Sequence, residues 1–355
     1  SPVLIVNSGL LTNTRGVITS TSGITINTHE KELINTESGD TKGIIAQGDV
    51  ALTTGEFNNI QGYVGSASAL TLISGKLDNK KGTIMAQGTS AVTAKGLDNR
   101  LGGQLLSGNN AIWDFANHTI NNQSGILSSQ ADLRLQAGIL NNTQTSNNNE
   151  GINGQNLHLT ITGSLDNSQG RITANKALIL TDKVTSEVSA VVNPHIGSKS
   201  SGQLRQGSSI AYAASLKINQ AGQMHAGTGL SVTSKSLNSG TFRSTGTLNV
   251  NVADDYTHNG DFQAQGDMTY IIGGNFTNTG KLKGNGALNL SAINATNQHN
   301  AEINVSSLNM EVDKLINRGL INAQTAHIIA TQKVSNLGTG RIYADTLAVS
   351  ADSLE

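Results

Sequence analysis

The chain contains no cysteine, so disulfide staples and thiolate chemistry are excluded, and nothing in it would suffer in an oxidising compartment. Aromatic residues make up only 3%. The bulky side chains that fill a wide globular core are therefore missing, and a narrow interior of Ile, Leu, Val and Ala is expected. Charged residues make up 13%, about half the usual share of roughly 25%, and the formal net charge is -1. No dense run of Lys or Arg occurs, which argues against nucleic acid and against a polybasic membrane stripe. No apolar run approaches the roughly 18 residues of a membrane span, and Ser1-Pro2-Val3-Leu4 is no signal peptide.

What the chain has in excess is glycine, 40 residues in 355, and the glycines follow a rule. Gly16, Gly62, Gly82, Gly125 and Gly170 are each followed at plus two by Ile18, Val64, Ile84, Leu127 or Ile172. At plus four comes a small residue, Ser20, Ser66, Ala86, Ser129 or Ala174. The rule resumes with Gly222, Gly240, Gly260, Gly280, Gly319 and Gly340, which lead to Met224, Phe242, Phe262, Leu282, Ile321 and Ile342. A second apolar pair with spacing two follows, as at Ile24/Ile26, Leu70/Leu72, Leu133/Leu135, Leu248/Val250 and Met268/Tyr270, and that spacing is strand alternation. A third apolar point precedes the next Asn, at Leu33, Phe57, Leu77, Leu97, Ile120, Leu140, Leu165, Leu237, Phe276 and Leu315.

Three short strands and their turns use about twenty residues and can bring the chain back one strand spacing higher, about 4.8 Å. The fold expected is all-β, a right-handed parallel β-helix of about fifteen coils, roughly 70 Å long. A leucine-rich repeat has a similar period but needs a helical half and a fuller leucine consensus, neither of which is visible. The recurring Gly is expected to supply a positive φ in the turn, and the Asn before it to form a side-chain ladder from coil to coil.

From Asn59 the Asn anchors are spaced 20, 20, 23, 20 and 25 residues apart, which places loops near Asn110 to His118 and at Thr143 to Glu150. Between Val184 and Ser215 the glycine rule stops. After the break the repeat tightens to Thr257-His258-Asn259-Gly260 and Thr277-Asn278-Thr279-Gly280. Three regions follow: a repeat array at 1–183, an irregular junction at 184–215 and a second array at 216–355. The chain starts and stops within repeats, so it is expected to be part of something longer.

Candidate chemistry is sparse. Asp49, Asp78, Asp98, Asp166 and Asp267 sit singly in turn positions, where turn formation is the plain reading. A sugar-cleaving β-helix would need paired carboxylates in one groove. The eight histidines are scattered and show no metal spacing, so no catalytic residue, metal or cofactor is expected. Trp113 and Phe115 align with Val92 and Ala94 of the coil before and are expected inside. Asn193, His195 and Arg205 lie in the irregular segment and are the candidate recognition residues.

The phrase Leu-Asp-Asn-x-x-Gly-x-Ile-x-Ala, at Leu77 to Ala86 and Leu165 to Ala174, resembles the filamentous haemagglutinin repeat of large bacterial exoproteins. The resemblance extends over residues 11 to 181 and, in looser form, 216 to 350. It implies export by two-partner secretion and a β-helical filament at the surface of a Gram-negative cell, in a family that includes adhesins, haemolysins and effectors of contact-dependent growth inhibition. The change of repeat near residue 200 is similar to the passage from stalk to receptor-binding region in such effectors. The resemblance thus implies a monomeric, secreted or surface-bound fragment. Its partners would be a two-partner secretion transporter and an outer-membrane receptor, protein or lipopolysaccharide, on a neighbouring bacterium, with no role for nucleic acid. A host-directed adhesin and, further off, a polysaccharide-processing enzyme are the alternatives.

Overall fold

A computed structural model describes residues 3–39, 41–145, 147, 150–181, 215–217, 223–234, 236–237 and 241–355. The candidates Asn193, His195 and Arg205, the junction up to residue 214, and two of the repeat glycines, Gly222 and Gly240, lie outside the described residues. The described residues contain strands and turns and no helix. They form a parallel β-solenoid of about fifteen turns, divided into two compact units, Ser1–Ile179 with Ala221–Met224, and Leu180–Gln220 with His225–Glu355.

In the first unit each coil contributes to three columns of parallel strands. One column stacks Val17–Ser20, Gly43–Ala46, Tyr63–Ser66, Thr83–Ala86, Gln104–Ser107 and Ile126–Ser129. The second stacks Ile24–Asn27, Val50–Thr53, Leu70–Ser74, Ser90–Ala94 and Ala111–Asp114. The third consists of short strands such as Leu77–Asp78 on Leu97–Asp98. Because hydrogen bonds run between coils, a residue stacks on its counterpart one repeat away, and the apolar positions of the repeat become continuous columns inside. Ile84, Leu72, Leu77 and their equivalents are essentially inaccessible to solvent.

Trp113 and Phe115 are inside, as their alignment requires. Trp113 pairs in register with Val92 and is buried, with its indole N–H donating to Ser90 Oγ at 2.9 Å. The inserted residues of this coil fall at Gly102 and at Ala116–His118, where Leu101 and Ala116 take positive φ. A loop begins at Thr143, and an equivalent one begins at Thr36 in the 24-residue gap from Asn35 to Asn59, ahead of the spacings counted from Asn59. The two loops are built alike. Where other coils have Gly three residues after Asn, these have Ser38 and Thr145, whose hydroxyls accept the N–H of Tyr63 at 2.9 Å and of Arg171 at 3.0 Å.

The conformational reason expected for the repeat glycine is overturned. In the first unit positive φ falls on the residue before it, at Arg15, Gln61, Lys81, Ser124 and Gln169. The glycine itself is required by a close approach. A Cβ on Gly82 would press into the carbonyl oxygen of Asn59 in the preceding coil and come within 2.6 Å of Asn79 Oδ1. Gly62, Gly125 and Gly170 meet the same pair of neighbours in their own coils. The obstacle is backbone one coil away, and it cannot step aside.

The asparagine ladder is present. Each Asn Nδ2 donates to the Oδ1 of the next, from Asn13 through Asn35, Asn59, Asn79, Asn99, Asn122 and Asn142 to Asn167, at 2.7 to 2.8 Å. These side chains are buried, so the ladder satisfies amides that would otherwise be costly to bury.

The second unit repeats the three columns, with Thr241–Ser244, Asp261–Ala264, Lys281–Gly284 and Glu302–Asn304 in the first. Its ladder runs from Asn278 through Asn297 and Asn317 to Asn336 at 2.8 to 2.9 Å. The position one coil before Asn278 belongs to His258. Around it the core turns aromatic. Phe242 stacks on Phe262 with centroids 4.2 Å apart, and Tyr256, Tyr270 and Phe276 complete the cluster. Later strands run round the corners without a break, as in the 17-residue strand Leu320–Asn336, where three short strands per coil were expected.

Candidate functional site

The small residue at plus four from glycine closes the first strand of the coil and is buried, as at Ala86, Ser107, Ser244 and Ala264. Serine at this position ties its coil to the turn of the coil before: Ser107 Oγ donates to Gly88 O at 3.1 Å and Ser129 Oγ to Asn109 O at 2.8 Å. With no large side chain there, the surface dips between the outward residues at plus three and the turn residues at plus five. Stacked through successive coils, the dip becomes a groove running along the column. The backbone rule sets its floor, and the outward residues are free to set its chemistry.

In the first unit the groove has a volume of about 280 Å³ and is walled by Met85 and Leu106, with Gln87, Ser128 and Gln130 opposite or beyond. Outward residues on the same column include Val17, Ile45, Tyr63 and Ile126, all at least partly exposed. The wall is aliphatic at Met85 and Leu106, while other outward positions of the column, such as Thr19, Thr83, Gln104 and Asn153, are polar. In the second unit the corresponding groove has a volume of about 420 Å³, and its lining includes His225, Arg243, Gln263, Gln265, Lys283 and Asn285. Arg243 lies 3.8 Å from Asp261, and Lys283 lies 3.4 Å from Glu302. Gln263 is fixed by its Nε2, which donates to both carboxylate oxygens of Asp261 at 3.1 Å. The side chains of Arg243 and Lys283 remain 56% and 40% exposed, so each is oriented by its carboxylate and still accessible.

Asp78 and Asp98 come closest to the carboxylate pair that a sugar-cleaving enzyme would need, since they stack on adjacent coils in register. They are bridged by Lys80, 3.0 Å from Asp78 and 3.8 Å from Asp98. Arg100 clamps Asp98 with two hydrogen bonds of 2.8 Å. Burial works against the charge on Asp98, but the hydrogen bonds and charge of Arg100, with Lys80, hold its carboxyl below the ordinary range. That environment favours the ionised carboxylate, whereas glycoside cleavage needs one partner protonated. Asp49, Asp166 and Asp267 work as turn residues: Asp49 and Asp267 each accept a backbone N–H from the next coil, of Ala69 and Ala287, and Asp166 accepts that of Ser168. Among the described residues no group of three or more His, Asp or Glu could hold a metal ion.

His258 is the most perturbed histidine among the described residues. It is fully buried; its Nε2–H reaches the carbonyl of Lys281 at 3.0 Å, and its Nδ1 lies 3.2 Å from the Tyr256 hydroxyl. Burial drives its pKa down to about 4, against a partial opposing effect of the hydrogen bonds to Lys281 and Gly260. The tautomer with the proton on Nε2 satisfies both contacts, so the neutral ring fills the asparagine seat. This is a structural role, and no route from solvent to the ring is implied.

The groove was not among the residues singled out from sequence. The signal was nevertheless present, in the small residue at plus four and in the change at plus three from Met85 and its neighbours to Arg243, Gln263 and Lys283. A family model described as a haemagglutinin repeat matches residues 35–113 and 243–352, together more than half of the chain. No curated protein and no solved structure matches it.

Proposed function

Since the chain belongs to the haemagglutinin-repeat family, we propose that it is a segment of a contact-dependent growth inhibition effector. In this reading the first array carries the filament outward and the second recognises an outer-membrane receptor on a neighbouring bacterium. Repeat and solenoid together support a filamentous, adhesin-like exoprotein, secreted or carried at the surface. Two-partner secretion, a Gram-negative producer and a toxin encoded in another part of the full protein belong to the same proposal. The chain acts by binding and not by catalysis, in keeping with a carboxylate pair locked by Lys80 and Arg100.

One observation carries the division of labour. The two arrays share a repeat and a groove, yet the groove wall carries Met85 and Leu106 among uncharged residues in the first and Arg243 and Lys283 in the second. A spacer needs stacking alone, and stacking is served by the floor and the interior. Changing the walls matters only to something that touches them.

The test is retention of the labelled full chain on Gram-negative cells and on host cells. The proposal expects retention on bacteria, weakened by Arg243→Gln combined with Lys283→Gln. Retention by host cells alone would overturn it in favour of a host-directed adhesin.

A further inference from the structure

We infer that the groove of the second unit binds an acidic oligosaccharide laid along the stack; this gives the receptor reading above a ligand class and depends on it for its biological setting. His225, Arg243, Gln263 and Lys283 occupy the outward column of four successive strands, Gln223–Ala226, Thr241–Ser244, Asp261–Ala264 and Lys281–Gly284. Successive rungs are about 4.8 Å apart, so Arg243 and Lys283, two rungs apart, stand roughly 10 Å from each other. Between them lies Gln263, whose Nε2 is engaged by Asp261, so that its amide oxygen is the group it offers a ligand. Across the groove Gln265 and Asn285 are exposed and present both donors and acceptors. The floor of Ser244, Ala264 and Gly284 is narrow and carries no charge. An extended ligand with hydroxyls throughout and acid groups at intervals matches this row of separated cations and amides.

Other occupants fit less well. A peptide strand has nowhere to pair, because Asp261–Ala264 and Lys281–Gly284 are hydrogen-bonded on both sides, and strand addition needs a free edge. A folded protein partner would be anchored by aromatic or aliphatic side chains in pockets, and the groove lining presents none but the methyl of Ala264 and that of Thr245. Nucleic acid demands cations at high density, whereas Arg243 and Lys283 each have a carboxylate beside them. A neutral glycan would leave both cations unused and would find no aromatic platform among the lining residues.

The full chain is titrated by fluorescence polarisation with a labelled galacturonate hexamer, its methyl ester, and an oligosaccharide carrying phosphate esters. At least one acidic probe is expected to bind, more weakly as salt rises, with the carboxylate and phosphate arms distinguishing the two possible sources of charge. If galacturonate binds, its ester should bind at least tenfold more weakly. Arg243→Gln with Lys283→Gln should weaken the acidic probe at least tenfold, while Lys95→Gln with Arg134→Gln, which removes two cations elsewhere, should not; circular dichroism checks that both variants fold. Failure of both acidic probes at millimolar concentration, ester and acid binding alike, or undiminished binding by the folded groove variant overturns the inference. If the probe behaves as expected but the groove variant is retained on bacteria as well as the parent chain, the ligand class stands and the receptor reading fails.

Discussion

The first unit keeps asparagine in its inner turn seat coil after coil, from Asn13 to Asn167, and fills its interior mainly with aliphatic side chains. The second unit seats His258 where an asparagine would stand and gathers Phe242, Tyr256, Phe262, Tyr270 and Phe276 around it. The outward groove changes as well, from Met85 and Leu106 to Arg243, Gln263 and Lys283. One backbone repeat therefore tolerates two interiors and two surfaces. It does so because coil-to-coil hydrogen bonding uses main-chain groups, which leaves side chains constrained only by packing and by the need to satisfy buried polar atoms.

The sharpest way to break the comparison is at the glycine. Gly82→Ala forces a Cβ against the Asn59 carbonyl, and a loss of about 3 kcal/mol is expected, as for severe overpacking. Gly338 has positive φ, and a Cβ placed there would meet nothing within 4 Å, so Gly338→Ala should cost only about 1 kcal/mol. Urea denaturation of the two variants separates steric from conformational demand. Equal losses would contradict the close-approach explanation.

Acid should separate the two units next. His258 has a folded pKa of about 4, below its unfolded value of about 6.5. Between these values the unfolded chain binds the extra proton, so the contribution of His258 is full above pH 6.5 and is lost as pH falls towards 4. At pH 4.5 the second unit should be weaker by about 2 kcal/mol than at pH 7 on this basis. His258→Asn should flatten that dependence in thermal melts; an unchanged slope would show that other groups govern it.

Asn99→Ala removes a donor and an acceptor from a buried ladder. It strands Asn79 Nδ2 and Asn122 Oδ1 of their ladder contacts, at a cost of about 2 kcal/mol in the first unit. The second unit's ladder can be probed at the exposed Asn336, where water replaces the lost partner and the effect should be smaller. Tyr270 offers the smallest change and the opposite sign. Its hydroxyl is buried with no hydrogen-bond partner among the described residues, so Tyr270→Phe should raise stability, by up to about 1 kcal/mol. A loss on the same scale would mean that the hydroxyl is satisfied after all.

Much of this was legible from the sequence because a solenoid writes its contacts at a fixed period. The alignment of Trp113 with Val92 placed an indole in the core, and the run of Asn79, Asn99 and Asn122 announced the ladder. Two things escaped for a physical reason each. The demand on Gly82 comes from a carbonyl a full coil away, so a local reading assigned it to φ, when the left-handed residue is Lys81. The loop after Asn35 breaks the glycine rule, because Ser38 takes the place of the glycine and does its work with a hydroxyl, and only the 24 residues from Asn35 to Asn59 mark it. The groove fell between these cases: its floor was visible as a small residue at plus four, but a depression shared by several coils appears only once they are stacked.

The most direct measurement gives the second groove the lining of the first. The full chain carrying Arg243→Met and Lys283→Leu is compared with the parent for retention on receptor-bearing Gram-negative cells, with circular dichroism as the folding control. An intact fold and at least a tenfold drop in retention are expected if the second array recognises the receptor through its cationic walls. A folded variant retained as well as the parent would contradict that assignment.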